Sequence, residues 1–281
     1  MPELLPVTDG DLGEFCVFLN RHLDTGKTPD QFRFAFQQDW GMAQPNHGFV
    51  VRKEGKIVGA IGAIYASRVI NGQSRRFCNI TSWCVLEAYR SQSMRLVMAV
   101  CSQEGFSFTD LTPTEVVAKS LQFLKFKPLD SDRELIFNVP FPAPGIHLEQ
   151  DPERIAALLP EPWAQVHRDH RHIPWLQRVA LAGPDGVCYV VFKRQSFKGL
   201  PSAEVLAVSD GRQFLRGFGR FAAHVLLRHG MVSTRVESRF LPARPPLSRR
   251  LSGYRQKMFR SDPLQAEDID NLYSEIMALD L

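Results

Sequence analysis

Residues 79–105, NITSWCVLEAYRSQSMRLVMAVCSQEG, hold the densest set of groups able to do chemistry. A β-rich run ends near Leu86, a short polar turn follows, and a helix is expected from about Ser91. A helix start leaves its first backbone N–H groups unpaired and pointing outward, and the helix dipole adds positive potential there. The amides of residues 91–95 are therefore a candidate cradle for a pyrophosphate. Arg90 and Arg95 would add charge-assisted bonds to phosphate oxygens. The same residues also read as an ordinary strand–turn–helix with two surface arginines.

Other clusters are weaker. His167, His170 and His172 in HRDHRH have a spacing that suits a metal. Only Asp169 supports them and the arginines between would repel a cation, so no metal is expected and the stretch reads as a polar basic loop. Cys84 has no histidine near it in sequence to activate it, which makes it a packed thiol. Glu87 is an exposed carboxylate in the turn. Arg216-Gly217-Phe218-Gly219 imitates a phosphate-loop glycine pair but falls about a turn and a half inside a predicted helix. Pro245-Pro246-Leu247-Ser248-Arg249-Arg250 is a basic loop. Neither basic stretch carries the interleaved aromatics of a nucleic-acid platform.

The elements that must position these groups follow from periodicity and turn signals. The first half reads as a short strand at 3–7, then a helix to about His22 with Leu12, Phe15, Cys16, Phe18 and Leu19 on one face. A second helix opens at Thr28 and Pro29. Strands are expected at 47–54, 56–69 and 75–86, with the Asn71-Gly72 hairpin turn between the last two. After the helix at 89–103 come a strand at 106–111, a helix capped by Thr112 with Pro113 in first position and Glu115 closing a capping box, and a strand at 133–139. The proline-rich stretch 138–152 reads as a connector. The second half repeats the layout loosely, with strands at 176–182, 186–195, 203–209, 231–240 and 254–260, helices at 153–159, 211–229 and 267–279, and a short helix at 247–251. The expected architecture is a mixed α/β sheet in each of two tandem domains, 1–148 and 149–281.

Composition narrows the function classes. The chain has 281 residues with 44% hydrophobic and 23% charged, which excludes disordered and fibrous classes. Net charge is +4, and the excess lies wholly after residue 148 (15 basic and 15 acidic residues before it, 19 and 15 after). That is too little for a nucleic-acid protein. No apolar run reaches the roughly 18 residues of a membrane span, and the N-terminus lacks a signal-peptide pattern. Five scattered cysteines without a CxxC read as reduced thiols of a cytoplasmic protein.

The stretch at 85–97 resembles motif A of the GCN5-related N-acetyltransferases, V-x-P-x-(Y)-R-x-x-G-x-G/A. Val85 matches the strand valine, Tyr89-Arg90 the tyrosine–arginine pair, and Leu96-Val97 the apolar helix. Residues 118–129 (AKSLQFLKFKPL) resemble the second motif, with Phe126-Lys127-Pro128-Leu129 at its end. The resemblance implies transfer of an acyl group from acetyl-CoA or another acyl-CoA to an amine on a small molecule or peptide, without nucleic acid or membrane as partner. It puts the coenzyme's pyrophosphate on Arg90, Ser91, Gln92, Ser93, Met94 and Arg95, and its pantetheine along Trp83, Cys84 and Val85 where two parallel strands splay. Several positions depart from the pattern. The motif glycines are Ser93 and Arg95, the latter a side chain that either replaces a contact or blocks the site. The tyrosine that often protonates the leaving thiolate is Leu121. The acidic base falls near Asn79, which leaves a water held by Asn79, Thr81 or Ser82 as the catalytic expectation. A non-catalytic scaffold and a coenzyme-A sensor are the competing readings.

Overall fold

The computed structural model describes residues 1–280. In chain order the first elements are β1 (Glu3–Pro6), α1 (Leu12–His22), α2 (Pro29–Phe36), β2 (Gly48–Lys53), β3 (Lys56–Ile70), β4 (Gln73–Val85), a 3-10 helix (Glu87–Gln92), α3 (Ser93–Cys101), β5 (Phe106–Asp110), α4 (Glu115–Phe123) and β6 (Lys127–Leu129). There follow β7 (Arg133–Phe137), β8 (His147–Glu149), α5 (Pro152–Leu158), α6 (Trp163–His170), β9 (Gln177–Gly183), β10 (Gly186–Phe197), β11 (Leu200–Val208), α7 (Gly211–His229), β12 (Ser233–Glu237), β13 (Ser248–Leu251), β14 (Lys257–Arg260) and α8 (Glu275–Ala278).

The chain divides into two compact units. One comprises residues 1–129, 256–269 and the segment from Tyr273 on; the other comprises residues 130–255 and 270–272. Each is built on a seven-stranded mixed sheet, ordered β1-β2-β3-β4-β5-β14-β6 in the first and β13-β7-β12-β11-β10-β9-β8 in the second. The two halves of the sequence thus trade one strand. β14 inserts antiparallel between β5 and β6, and β7 inserts antiparallel between β12 and β13. Residues 130–148, grouped with the first half in the sequence reading, therefore pack in the second unit.

In the first unit the apolar faces follow the sequence periods. α1 buries Leu12, Phe15, Cys16, Phe18 and Leu19. Thr28 closes a capping box with Gln31 and Pro29 takes the first helical position of α2. The helix start after β5 differs from the expected one. Thr114, not Thr112, accepts from the Val117 N–H and caps α4, because the Thr112 hydroxyl is drawn to Glu275, 2.8 Å away. One core lies under α3 and α4, where Leu96, Val97, Val100, Ala118 and Leu121 pack on Ile61, Ile80 and Phe108. A second cluster gathers Phe77, Leu111, Leu129, Phe259, Leu264 and Ile269.

In the second unit Phe214, Phe218, Phe221, Ala222 and Val225 of α7 pack on the sheet. The glycines of Arg216-Gly217-Phe218-Gly219 serve this packing. A Cβ on Gly217 would lie 2.9 Å from the Leu181 Cδ1, and one on Gly219 would lie 2.2 Å from the Phe141 carbonyl oxygen. Gly219→Ala is expected to cost about 1–3 kcal/mol by overpacking, read as a lower midpoint in chemical denaturation; an unchanged midpoint would mean that the 141 segment yields freely. Of residues 247–251, Leu247 lies in a turn and Ser248–Leu251 form strand rather than helix, because pairing with β7 satisfies their backbone. The histidine stretch is helical through His170, and only Arg171 and His172 lie in the turn that follows. His167 is buried, with Nε2 3.1 Å from the Pro152 carbonyl and Nδ1 2.9 Å from the Tyr189 hydroxyl. His170 Nδ1 donates to the Val166 carbonyl at 2.9 Å.

Candidate functional site

The candidate residues lie in the first unit, along the end of β4 and the helix start that follows. β4 and β5 pair in parallel only from Arg76/Phe106 to Asn79/Thr109. β4 then runs on to Val85 while β5 stops at Asp110. Beyond Asn79 the β5-facing edge of β4 has no strand partner among the described residues, and the two strands part. The parting coincides with a bulge. Ser82 has φ of 53°, and the β3–β4 register shifts so that Ser82 and Trp83 together oppose Ile61. A bulge of this kind bends a strand and increases its twist.

Trp83, Cys84 and Val85, from the bulge to the end of β4, are half-buried. The Trp83 indole Nε1 is buried and has no hydrogen-bond partner among the described residues. Cys84 carries a thiol pushed up to about 12 by burial, which keeps it protonated and unreactive at neutral pH. Val85 packs on the α3 core.

The helix start is less open than expected. A 3-10 helix over Glu87–Gln92 leads directly into α3, and its last turn bonds the Ser93 N–H to the Arg90 carbonyl. α3 begins at Ser93, with Gln92 making no side-chain cap. Arg90 is exposed and pairs with Glu87 at 2.9 Å. Arg95, replacing a motif glycine, is also exposed and donates to the Gln92 side chain. Its side chain therefore points out of the turn rather than filling it. Met94 and Ser91 are exposed and Ser93 half-buried. Leu121 is fully buried in the core, so no proton donor stands there.

Asn79, Thr81 and Ser82 cluster at the parting point. Asn79 is 1% exposed. Its amide donates to the Thr109 hydroxyl at 3.1 Å and its Oδ1 accepts from the Glu275 N–H at 2.9 Å. Thr81 and Ser82 hydroxyls lie 3.3 Å apart.

Two acidic groups that the sequence reading missed stand at the same place. Asp110 is the last residue of β5, and Glu275 opens α8. They are 4% and 0% exposed, and Lys257, 3% exposed, is close enough to stabilise the Glu275 charge. Glu275 Oε1 accepts from the Leu111 N–H at 3.2 Å and from the Thr112 hydroxyl at 2.8 Å. Burial, then the Glu275 charge, pushes the Asp110 carboxyl well above its ordinary value. Burial also raises Glu275. An acid ending a strand of alternating apolar residues was the one signal available for Asp110; Glu275 reads as a surface helix residue and is brought in by folding alone.

Among the described residues no group of three or more His, Cys, Asp or Glu side chains is placed to hold a metal ion. None of their helices is long and apolar enough to cross a membrane.

No protein-family model matches the chain, and no curated protein matches its sequence. Solved structures match its fold. A GCN5-related N-acetyltransferase from Anabaena variabilis superposes over 92% of this chain and 72% of its own, with TM-score 0.62 and 12% identity. One from Kribbella flavida covers 92% and 71%, with TM-score 0.59 and 14% identity. Eis1 from Mycobacterium abscessus covers 92% and 73%, with TM-score 0.57 and 12% identity. With the two seven-stranded mixed sheets, these likenesses show that the chain has the fold of the GCN5-related N-acetyltransferases in tandem form.

Proposed function

We propose that the chain transfers an acyl group from acyl-coenzyme A to an amine. The observation that carries this reading is the parting of β4 and β5 after Asn79/Thr109, next to a strand-to-helix turn. A parallel pair that separates leaves backbone groups on β4 free to bond an extended ligand such as pantetheine. Trp83, Cys84 and Val85 supply that edge, and the unpartnered Trp83 Nε1 is a donor in search of an acceptor. Arg90, Ser91, Gln92, Ser93, Met94 and Arg95 would hold the pyrophosphate. Acetyl-CoA is the simplest donor of the class, and a small-molecule or peptide amine the acceptor.

The reaction forms a C–N bond and breaks the C–S bond of the thioester. The protein must hold the carbonyl, accept a proton from nitrogen and exclude water. Leu121 leaves the thiolate without a tyrosine donor, so its proton comes from elsewhere. Asn79, with donors and acceptor engaged, fits a positioning role, while the Thr81 and Ser82 hydroxyls remain able to hold a water.

A second reading, coenzyme-A binding without turnover, is favoured by one observation. The Ser93 N–H already bonds the Arg90 carbonyl, which removes one donor from the cradle. Calorimetry with acetyl-CoA followed by thiol release over an amine panel separates the two. Acetyl-CoA at a hundred times its Kd is expected to stabilise the protein by about 2.7 kcal/mol. Arg90→Ala is expected to weaken binding about tenfold, the low end for a charge-assisted bond because the side chain is exposed. Unchanged affinity in Arg90→Ala would place the coenzyme elsewhere. Binding without thiol release would favour the sensor.

A further inference from the structure

We propose that Asp110 and Glu275 act as one proton-holding pair at the end of the β4–β5 pairing, with Glu275 Oε2 as the atom that takes the proton from the acceptor amine. The proposal rests on the acyltransferase reading above and deepens it.

The Glu275 N–H bonds Asn79 on β4 at 2.9 Å, and its Oε1 bonds the Leu111 N–H just past β5 at 3.2 Å. Glu275 thus bridges the two strands where they part, the gap beside which the acyltransferase reading lays the pantetheine and so the thioester at its end. Alternation along β5 sets Phe106, Phe108 and Asp110 toward α3 and α4, and Ser107, Thr109 and Leu111 toward the other face. The Glu275 charge is felt at Asp110, so the two carboxyls share this end of the strand.

Glu275 also has hydrogen-bonding capacity left unmet. Glu275 Oε2 is buried and has no partner among the described residues. Its sister oxygen holds two bonds, so the side chain is fixed with one acceptor left over. Such an atom is costly unless a proton or a ligand donor meets it.

Two carboxylates in a dry site cannot both ionise, so one proton stays with the pair. The facing groups are few. β14 brings Lys257, β4 brings the neutral Asn79, and α2, which packs on α8, carries Asp30 and Arg33 in solvent. A structural role alone would be met more cheaply by asparagine at 110, which keeps the acceptor for the Thr112 N–H at 3.3 Å without the buried charge.

The step balances. The amine nitrogen attacks the thioester carbonyl, the C–N bond forms, and a nitrogen proton passes to Glu275 Oε2. The C–S bond then breaks and the pair returns that proton to the departing thiolate. The pair ends as it began, holding one proton, and supplies the donor that Leu121 cannot.

The test uses the full chain, the Glu275→Gln and Asp110→Asn variants, acetyl-CoA and an amine panel. Wild type at neutral pH is expected to show the infrared carbonyl stretch of a buried protonated carboxyl, lost in the double variant. Glu275→Gln is expected to bind acetyl-CoA like wild type and to release thiol about 10²–10⁴-fold more slowly, the range for a lost proton acceptor. Absence of the band, or wild-type thiol release by Glu275→Gln, overturns the pair. Glu275→Asp, which keeps the charge, is expected to recover part of the rate if the fold is intact; a rate no better than that of Glu275→Gln would mark the residue as purely structural and overturn the proposal. Wild-type protein that binds no acetyl-CoA would instead sink the acyltransferase reading, a result the infrared band does not share.

Discussion

Gly48→Ala is expected to destabilise the first unit by about 3 kcal/mol or more, at the upper end for single substitutions. Gly48 has φ of +117°, a region closed to residues with a Cβ. An added Cβ would lie 2.0 Å from the Ile61 carbonyl oxygen and 2.9 Å from the Gly62 Cα, both backbone. No rotamer change relieves a contact with backbone, so β2 and β3 would have to separate. The rung cannot give way cheaply, because Gly48 pairs with Gly62 across the strands. Gly62 in turn has Phe36 of α2 on its open face, where a Cβ would come 2.6 Å from the ring. Phe36 is fully buried and sits 5.2 Å from the Phe15 ring. Two glycines in register thus let α2 lie close to the sheet beside Thr81, the β4 partner of Gly62. Gly62→Ala, which displaces a side chain rather than backbone, is the milder comparison at about 1–3 kcal/mol. Urea denaturation followed by circular dichroism ranks the two; a Gly48→Ala midpoint equal to wild type would contradict the β2–β3 register.

Local signals account for what the sequence revealed. Asn71-Gly72 joined two long strands correctly, since a type of turn that needs positive φ names its residues. Thr28-Pro29 marked the start of α2, and the five apolar residues of α1 marked its buried face. Non-local pairing was illegible. Periodicity identifies Arg133–Phe137 and Lys257–Arg260 as strands, but nothing in either states that each pairs in the sheet of the other half. The same limit applied to the site. Val85, Tyr89 and Arg90 lie within six residues of sequence and were readable, as was the turn that joins them. Asp110 and Glu275 stand 165 residues apart in sequence and meet only in the folded unit. Thr112 shows the cost of reading locally: its capping box is sound as sequence, yet a carboxylate from the distant segment takes its hydroxyl.

Asp110→Asn is expected to make the protein more stable than wild type at about pH 8, and no more stable at about pH 4. In the unfolded chain the two acids ionise near their ordinary values of 3.8 and 4.5. In the fold both hold their protons to higher pH, Asp110 through burial and then the Glu275 charge, Glu275 through burial against the opposing pull of Thr112, Asn79 and Lys257. The folded state therefore binds more protons than the unfolded one above pH 3.8. Stability from this pair is fully present below that pH and is lost as pH rises through the folded-state values. Asparagine keeps the size and an acceptor for the Thr112 N–H but cannot ionise, so that loss disappears. The gain at pH 8 is expected to be roughly 1–3 kcal/mol, the cost of keeping a proton on an acid that the unfolded chain has already released. Asp11, held below its ordinary value by the Thr8 hydroxyl, gives the opposite slope. It is common to both proteins and cancels in the difference, being in an exposed turn away from the pair. The measurement is the difference in unfolding free energy between variant and wild type across that pH range. A difference that does not change with pH would mean that Asp110 ionises as an ordinary carboxylate and that no proton is held between the strands. A difference that grows with pH would show that the fold gives up stability to keep two acids where β4 and β5 part, a cost that packing alone does not require.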